Sequence, residues 1–367
     1  MNNVSEDLAA IVAQFRIDGD VESVCPIGSG HINDSYLVTT LPANAPNYLL
    51  QRINHNIFRN IPQLTENIMK VSKHLTAKLH CGSTGLENFQ VLRLISTRGG
   101  EYFYHDPEGN YWRLYNFIDG SVSYDIVETT KLAFEGGKAF GIFQYLTSDM
   151  DVTSLADTLP DFHNIATRLK TFRDVVNRDP AGRVKDVQRE ISFVEARAEE
   201  MHTIRNLGLT GKILLRVTHN DTKFNNILFD KQNRAICVVD LDTVMPGYVL
   251  YDFGDAIRTG ANTGMEDAED LTKVGIDLAL FKSYSEGYLS VAGKFLNPAE
   301  INHLAFSARF MTFIIGLRFL TDHIDGDHYY RIHRPGHNLD RARAQFRLVE
   351  SMEEHYTEMQ AIINNLR

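Results

Sequence analysis

The chain is expected to be an α+β protein of two lobes, a small β-rich N-terminal lobe over residues 1–118 and a larger, mainly helical C-terminal lobe over 119–367. Three observations predict this. Short β-branched and aromatic runs bounded by turn residues fill residues 20–118, the apolar spacing changes to i, i+3, i+4 after Asp119-Gly120, and one polar loop with a hairpin interrupts the helical part near residue 220.

In order along the first lobe, strands are expected at 21–27, 34–39, 48–53, 89–94 and 111–118, around one helix at 61–79. In the second lobe, helical recurrence covers 132–146, 162–177, 187–206, 279–292, 298–322 and 339–365. The start at 298 is set by chemistry. Asn297-Pro298-Ala299-Glu300 places a capping side chain, a proline without an N–H, and a glutamate at the three positions where the first orphan amides need them. The last segment, with Leu339, Ala342, Phe346, Val349 and Met352 in step, is expected to pack on the body of the protein.

At 367 residues and 43 % hydrophobic content the chain can build a proper core. A net charge of −10 with no lysine-arginine run longer than a pair leaves no footprint for a nucleic-acid backbone. The N-terminal stretch lacks the basic region of a signal peptide, and no run approaches the roughly 20 apolar residues that span a bilayer. Cys25, Cys81 and Cys237 are widely spaced, without a Cys-x-x-Cys pair. A cytoplasmic monomer with reduced thiols is expected, with neither nucleic acid nor membrane as partner.

The chemistry concentrates in Val217-Thr218-His219-Asn220-Asp221-Thr222-Lys223-Phe224-Asn225-Asn226 and Val238-Val239-Asp240-Leu241-Asp242. Phosphoryl transfer asks the protein mainly for positioning and charge neutralisation. Asp221 is placed to orient an acceptor hydroxyl, Asn226 and Asp240 to face a metal, and Lys223 to neutralise phosphate. The intervening residues read as a strand, a polar turn at 230–233 and a buried return strand, so both acids emerge at the ends of adjacent strands.

Other residues are weaker signals. Gly28-Ser29-Gly30-His31 lies between two strands, where glycines would let backbone amides approach phosphates, or would simply make a turn; His31 bonds a ligand hydroxyl there or caps that turn. The third strand carries Gln51 and Arg52 where a lysine would pair the nucleotide phosphates; Arg52 replaces that cation if it points inward. Asp252-Phe253-Gly254 follows Asp240 by twelve residues, too far along to be the metal site, and Asp252 is expected to prop the catalytic loop instead. Asp242 shares a side with Asp240 and touches metal or substrate, or is a solvated turn carboxylate. Arg318 in an apolar helix and Tyr329 in the next loop are candidates to bind substrate, with a buried ion pair the other reading of Arg318. The spacing of His323, His328, His333 and His337 fits no zinc pattern, so they are expected to be solvated loop residues.

The strings His219–Leu228, Val239–Gly247 and Tyr251–Arg258, with Gly30-His31-Ile32-Asn33, Phe117-Ile118, Val122-Ser123-Tyr124 and Arg318-Phe319-Leu320, resemble the aminoglycoside phosphotransferase and choline kinase superfamily. The resemblance implies a two-lobed protein-kinase-like fold and the use of ATP and Mg2+. It implies Asp221 as catalytic base assisted by Lys223, Asn226 and Asp240 as magnesium ligands, and His219 and Asp252 as support. Gly28, Gly30, Arg52 and Phe117 would lie on the nucleotide side, and His31, Asp242, Arg318 and Tyr329 would line a sugar pocket. Within the superfamily the longer strings resemble the branch that phosphorylates the anomeric hydroxyl of N-acetylhexosamines. A kinase of another small alcohol or amine, or a nucleotide-binding pseudoenzyme suggested by Gln51, are the alternatives.

Overall fold

The computed structural model describes residues 6–28, 32–80, 86 and 88–367. The N-terminal part holds helix α1 (Glu6–Val12), strands β1 (Asp20–Pro26), β2 (Asp34–Leu41) and β3 (Tyr48–Ile53), helix α2 (Ile61–His80), and strands β4 (Leu94–Ile95), β5 (Tyr104–His105) and β6 (Tyr111–Asn116). These six strands make one antiparallel sheet in the order β1-β2-β3-β6-β4, with β5 also paired to β6. Alternation gives the sheet two apolar faces. Val24, Val38, Leu50 and Leu114 pack with Val12 and Phe15 from the α1 side, while Ile53 and Tyr115 join Ile61, Leu64, Ile68 and Val71 of α2 in the main core.

Residues 117–129 lead out of the sheet without helix or ladder strand, and Thr129 then caps the next helix by accepting from the Leu132 N–H at 3.2 Å. The C-terminal part contains helices α3 (Thr130–Thr147), α4 (Ile165–Arg178), α5 (Gln188–Arg197) and α6 (Thr203–Leu209), followed by strands β7 (Arg216–Thr218), β8 (Ile227–Phe229), β9 (Ala235–Val238) and β10 (Met245–Gly247). Helices α7 (Val249–Gly260), α8 (Leu278–Ala292), α9 (Pro298–Asn302), α10 (Leu304–Asp325), α11 (His337–Glu354) and α12 (Tyr356–Asn365) complete it. Strands β8 and β9 form the expected hairpin, and β7 pairs with β10.

Three expectations change. The strand expected at 89–94 shrinks to Leu94–Ile95; Phe89 and Leu92 bury their side chains as coil, and the Gln90 N–H donates to Ile236 O at 2.6 Å. The periodic segments 187–206, 298–322 and 339–365 each break into two helices. Finally, α10 is long and apolar enough by length and composition to cross a bilayer, which the search for an unbroken apolar run missed. Of its most apolar 18-residue window, 89 % is buried within the protein, against α4, α7 and α11, so it is a central core helix.

Candidate active site

The loop after β7 is held from below by the first turns of α7. Asp252 accepts from the His219 N–H at 2.9 Å, the Asn220 N–H at 2.8 Å and the Gln144 amide at 2.8 Å, and its own carbonyl accepts from the Thr222 hydroxyl at 2.6 Å. Asp255 accepts from the Thr222 N–H at 3.1 Å. These bonds hold Asn220 in a left-handed conformation, φ 63°, and turn the next side chain, Asp221, toward the cleft. The His219 ring, edge-on to Phe140 and Phe143, contacts Val239 O through Nε2 at 2.9 Å, and its Nδ1 accepts from the Asp221 N–H at 3.3 Å. His219 therefore links the loop to the hairpin that carries Asp240.

Asp221, Lys223 and Asn226 form one cluster. Lys223 Nζ lies 3.1 Å from Asp221 Oδ1, and the Asn226 amide nitrogen donates to the Asp221 carbonyl at 2.8 Å and its carboxylate at 3.3 Å. Burial alone would raise the Asp221 pKa; the Lys223 ammonium, together with His219 and Arg258, outweighs it and holds the carboxyl below its usual range. Asp221 is thus ionised and aimed into open space, as a group that accepts a hydroxyl proton must be.

Asp240 follows β9 in the left-handed region, φ 60° and ψ 61°. Its surface is accessible although the surrounding protein partly desolvates it, and among the described residues no hydrogen bond or ion pair reaches its carboxylate. Burial, then Asp242 and Asp221, push its pKa up to about 7. A carboxylate with no direct partner, directly after Val239, whose N–H donates to Asn226 O at 2.9 Å, fits a divalent cation: Asp240 and Asn226 would hold it through hard oxygen donors, which suit Mg2+.

Asp242 is 3 % exposed and is not a solvated turn carboxylate. Its oxygens accept from Arg113 Nη1 at 2.5 Å, Arg113 Nη2 at 2.9 Å and the Asn33 amide at 2.7 Å. Arg113, 1 % exposed on β6, also donates to Gln51 Oε1 at 3.0 and 2.8 Å. The inward position of Arg52 is corrected: it pairs with Asp34 at 2.5 Å on the outside of the sheet, with about half of each side chain exposed. The register explains the exchange, since Ser35, Gln51 and Arg113 lie opposite one another on neighbouring strands whereas Arg52 aligns with Asp34 and Trp112. Arg113 was missed in the sequence, although an arginine amid Tyr111-Trp112-Arg113-Leu114-Tyr115 signals a buried cation in need of a partner.

Gly28 sits at the bend after β1 with φ +80°, and Gly30 and His31 lie outside the described residues. Phe117, half-buried where the chain leaves the sheet, donates its N–H to Asn47 O at 2.9 Å.

A cavity of about 520 Å³ opens beside Asp221 and Lys223 and extends to Arg318, Tyr329 and Tyr330. The Arg318 guanidinium lies over the rings of Phe162, Tyr330 and Tyr329 at 5.0, 5.6 and 5.7 Å, and reaches the Tyr329 hydroxyl at 3.5 Å. It is not the buried ion pair of the other reading. Two further acids line the cavity, Asp255 and Glu266, and Arg258 pairs with both at 2.9 and 2.7 Å. Burial, then Arg318, lower the pKa of His163 in the same wall to about 3, so it stays neutral. The expectation of four solvated loop histidines is corrected for two: His323 lies in α10 and His337 opens α11, both buried, with His337 Nε2 3.0 Å from Asp267, while His328 and His333 are exposed loop residues.

Residues 23–286 match the phosphotransferase enzyme family, and the chain belongs to it. Solved structures with the same two-lobed, protein-kinase-like fold include three small-molecule kinases. An aminoglycoside phosphotransferase from Alicyclobacillus acidocaldarius has a TM-score of 0.60 at 12 % identity, over 98 % of this chain and 94 % of that one. An amicoumacin kinase in complex with AMP-PNP, Ca2+ and its substrate has a TM-score of 0.60 at 13 % identity, over 95 % and 93 %. A choline kinase from Cryptosporidium parvum has a TM-score of 0.59 at 14 % identity, over 98 % and 97 %. At these identities the likeness shows the fold. Family membership makes this chain a phosphotransferase.

Proposed function

We propose that the chain is an ATP- and Mg2+-dependent N-acetylhexosamine 1-kinase, transferring the γ-phosphoryl group to the anomeric hydroxyl of N-acetylglucosamine or N-acetylgalactosamine. The observation that carries the acceptor class is the charge of the cavity. Asp255 and Glu266 are both engaged by Arg258, and Arg318 stands at the far wall, so among the described lining residues only Asp221 offers a carboxylate without an arginine partner to a cationic acceptor. Aromatic side chains beside charged hydrogen-bond donors suit a neutral, hydroxyl-rich ring. The choice of N-acetylhexosamine and of the anomeric position rests on the sequence resemblance.

In this reading the Asp221 carboxylate accepts the acceptor's hydroxyl proton as the oxygen bonds to the γ-phosphorus and the bond to the ADP oxygen breaks. Lys223 holds Asp221 ionised and supplies positive charge beside the transferred group. Arg318 and Tyr329 orient the ring. A bound divalent metal, held by Asp240 and Asn226, supplies neutralisation of phosphate charge.

The competing reading is an amino-alcohol or aminoglycoside kinase, as the names of the structural neighbours suggest. Incubating the protein with magnesium-ATP and N-acetylglucosamine, N-acetylgalactosamine, glucose, homoserine, choline and kanamycin, with phosphorus NMR of the products, separates the two. An anomeric phosphate on an N-acetylhexosamine is expected; turnover of choline or kanamycin alone would overturn the proposal.

A further inference from the structure

A protein-kinase-like site uses a lysine on the third strand, held by an acidic residue of the following helix, to tie the N-terminal sheet to the nucleotide phosphates. Neither half of that pair is present. The strand offers the neutral Gln51, and α2 turns Glu66 outward onto Lys70 at 2.7 Å. Its most deeply buried polar residue is Asn67, which donates to Val244 O at 3.0 Å and Ala156 O at 2.8 Å.

What crosses the cleft instead is an ion pair. Arg113 spans from Gln51 on the neighbouring strand to Asp242 in the turn that begins at Asp240. The same turn is bonded to the catalytic loop: the Thr243 hydroxyl donates to His219 O at 2.5 Å, and the Asn220 amide donates to Thr243 O at 2.9 Å. Asn33 adds a second tie from the N-terminal sheet to Asp242 and also accepts from the Asn54 N–H at 3.0 Å. One guanidinium therefore registers the sheet against the turn from which Asp240 projects.

We propose that Arg113 is a positioning residue for phosphoryl transfer: its forked contacts to Asp242 and Gln51 form the interlobe strut that replaces the lysine–acid pair and fixes the metal-facing turn. A planar fork with five donors grips both carboxylate oxygens and an amide oxygen in one fixed geometry, whereas an ammonium on a flexible stem holds no such bidentate orientation. The inference rests on the reading of the site as a phosphoryl-transfer centre and is independent of the acceptor.

The test is binding of a non-hydrolysable ATP analogue, titrated by calorimetry as a function of Mg2+, with folded fraction followed by circular dichroism and acceptor KM in parallel. Arg113→Gln should raise the Mg2+ midpoint and the nucleotide Kd by roughly 10- to 100-fold, the range for residues that orient metal ligands, with acceptor KM little changed. Arg113→Lys should recover only part of this. Arg113→Gln/Asp242→Asn leaves no unpaired buried charge, so it should fold and yet keep the binding defect. Folded single and double variants that bind magnesium-nucleotide like the wild type would reduce Arg113 to a core ion pair and overturn the proposal. A wild-type protein that binds no magnesium-nucleotide would instead overturn the phosphoryl-transfer reading, and the strut with it.

Discussion

At the scale of single residues, the site sorts three neighbouring carboxylates into three environments. Asp221 is paired with Lys223, Asp242 is neutralised by Arg113, and among the described residues no ion pair reaches Asp240. In the proposed reaction Asp221→Asn removes the proton acceptor but keeps size and shape, so kcat should fall by about 10²- to 10⁴-fold while the melting temperature stays close to that of the wild type. The elevated Asp240 pKa has a signed consequence. Its protonated form gains population as pH falls toward and below about 7, and a proton competes with a metal for the same oxygens. The Mg2+ midpoint for nucleotide binding should therefore be lower at pH 8 than at pH 6, and a pH-independent midpoint would overturn the raised Asp240 pKa or its role as a ligand.

At the scale of elements, α3 and α8 approach so closely that a side chain at Gly137 would meet the Tyr284 carbonyl oxygen at 2.1 Å. That oxygen belongs to helix backbone and cannot give way, so Gly137→Ala should cost about 1–3 kcal/mol or more, read as a lowered denaturant midpoint. Elements whose cause is local were legible in the sequence: β3 spans Tyr48–Ile53 as expected, and Asn297 with Glu300 forms the capping box that starts α9. Helix breaks were not. The apolar stripe runs on through His303 and His355, while the backbone there leaves the helix at φ −106° and −104°, a change of direction that periodicity does not record. The candidate site divides in the same way. Asp221, Lys223, Asn226 and Asp240 sit within one loop and hairpin and could be read together, whereas Arg113 and Asp242 are 129 residues apart and meet only because the sheet folds over the turn.

At the scale of the whole molecule, the single tryptophan reports on the N-terminal part alone. Trp112 donates its indole N–H to Asp106 at 2.7 Å, and Asp106 also accepts from the Asn110 amide and two backbone N–H groups. Burial opposes ionisation of Asp106, but these bonds outweigh it and lower its pKa. A carboxyl with a depressed folded-state pKa stabilises at pH above its unfolded value, and that contribution is lost as pH falls through the folded value. Trp112 emission should thus shift to longer wavelength on acidification below roughly pH 4. Asp106→Asn should lower the urea midpoint of that emission at neutral pH by the equivalent of about 1–3 kcal/mol.

Helix α10 bears on how this chain is made. It occupies the middle of the helical part but comes from late in the chain, so α3, α4 and α7 leave the ribosome before the partner that covers them. Until α10 emerges, a growing chain shows apolar surface that the finished protein conceals, the condition under which nascent chains aggregate or engage chaperones. A chain stopped before residue 304 should therefore sediment as aggregate when translated without chaperones, and adding α10 alone should not rescue it, since α11 must still close over the opposite face.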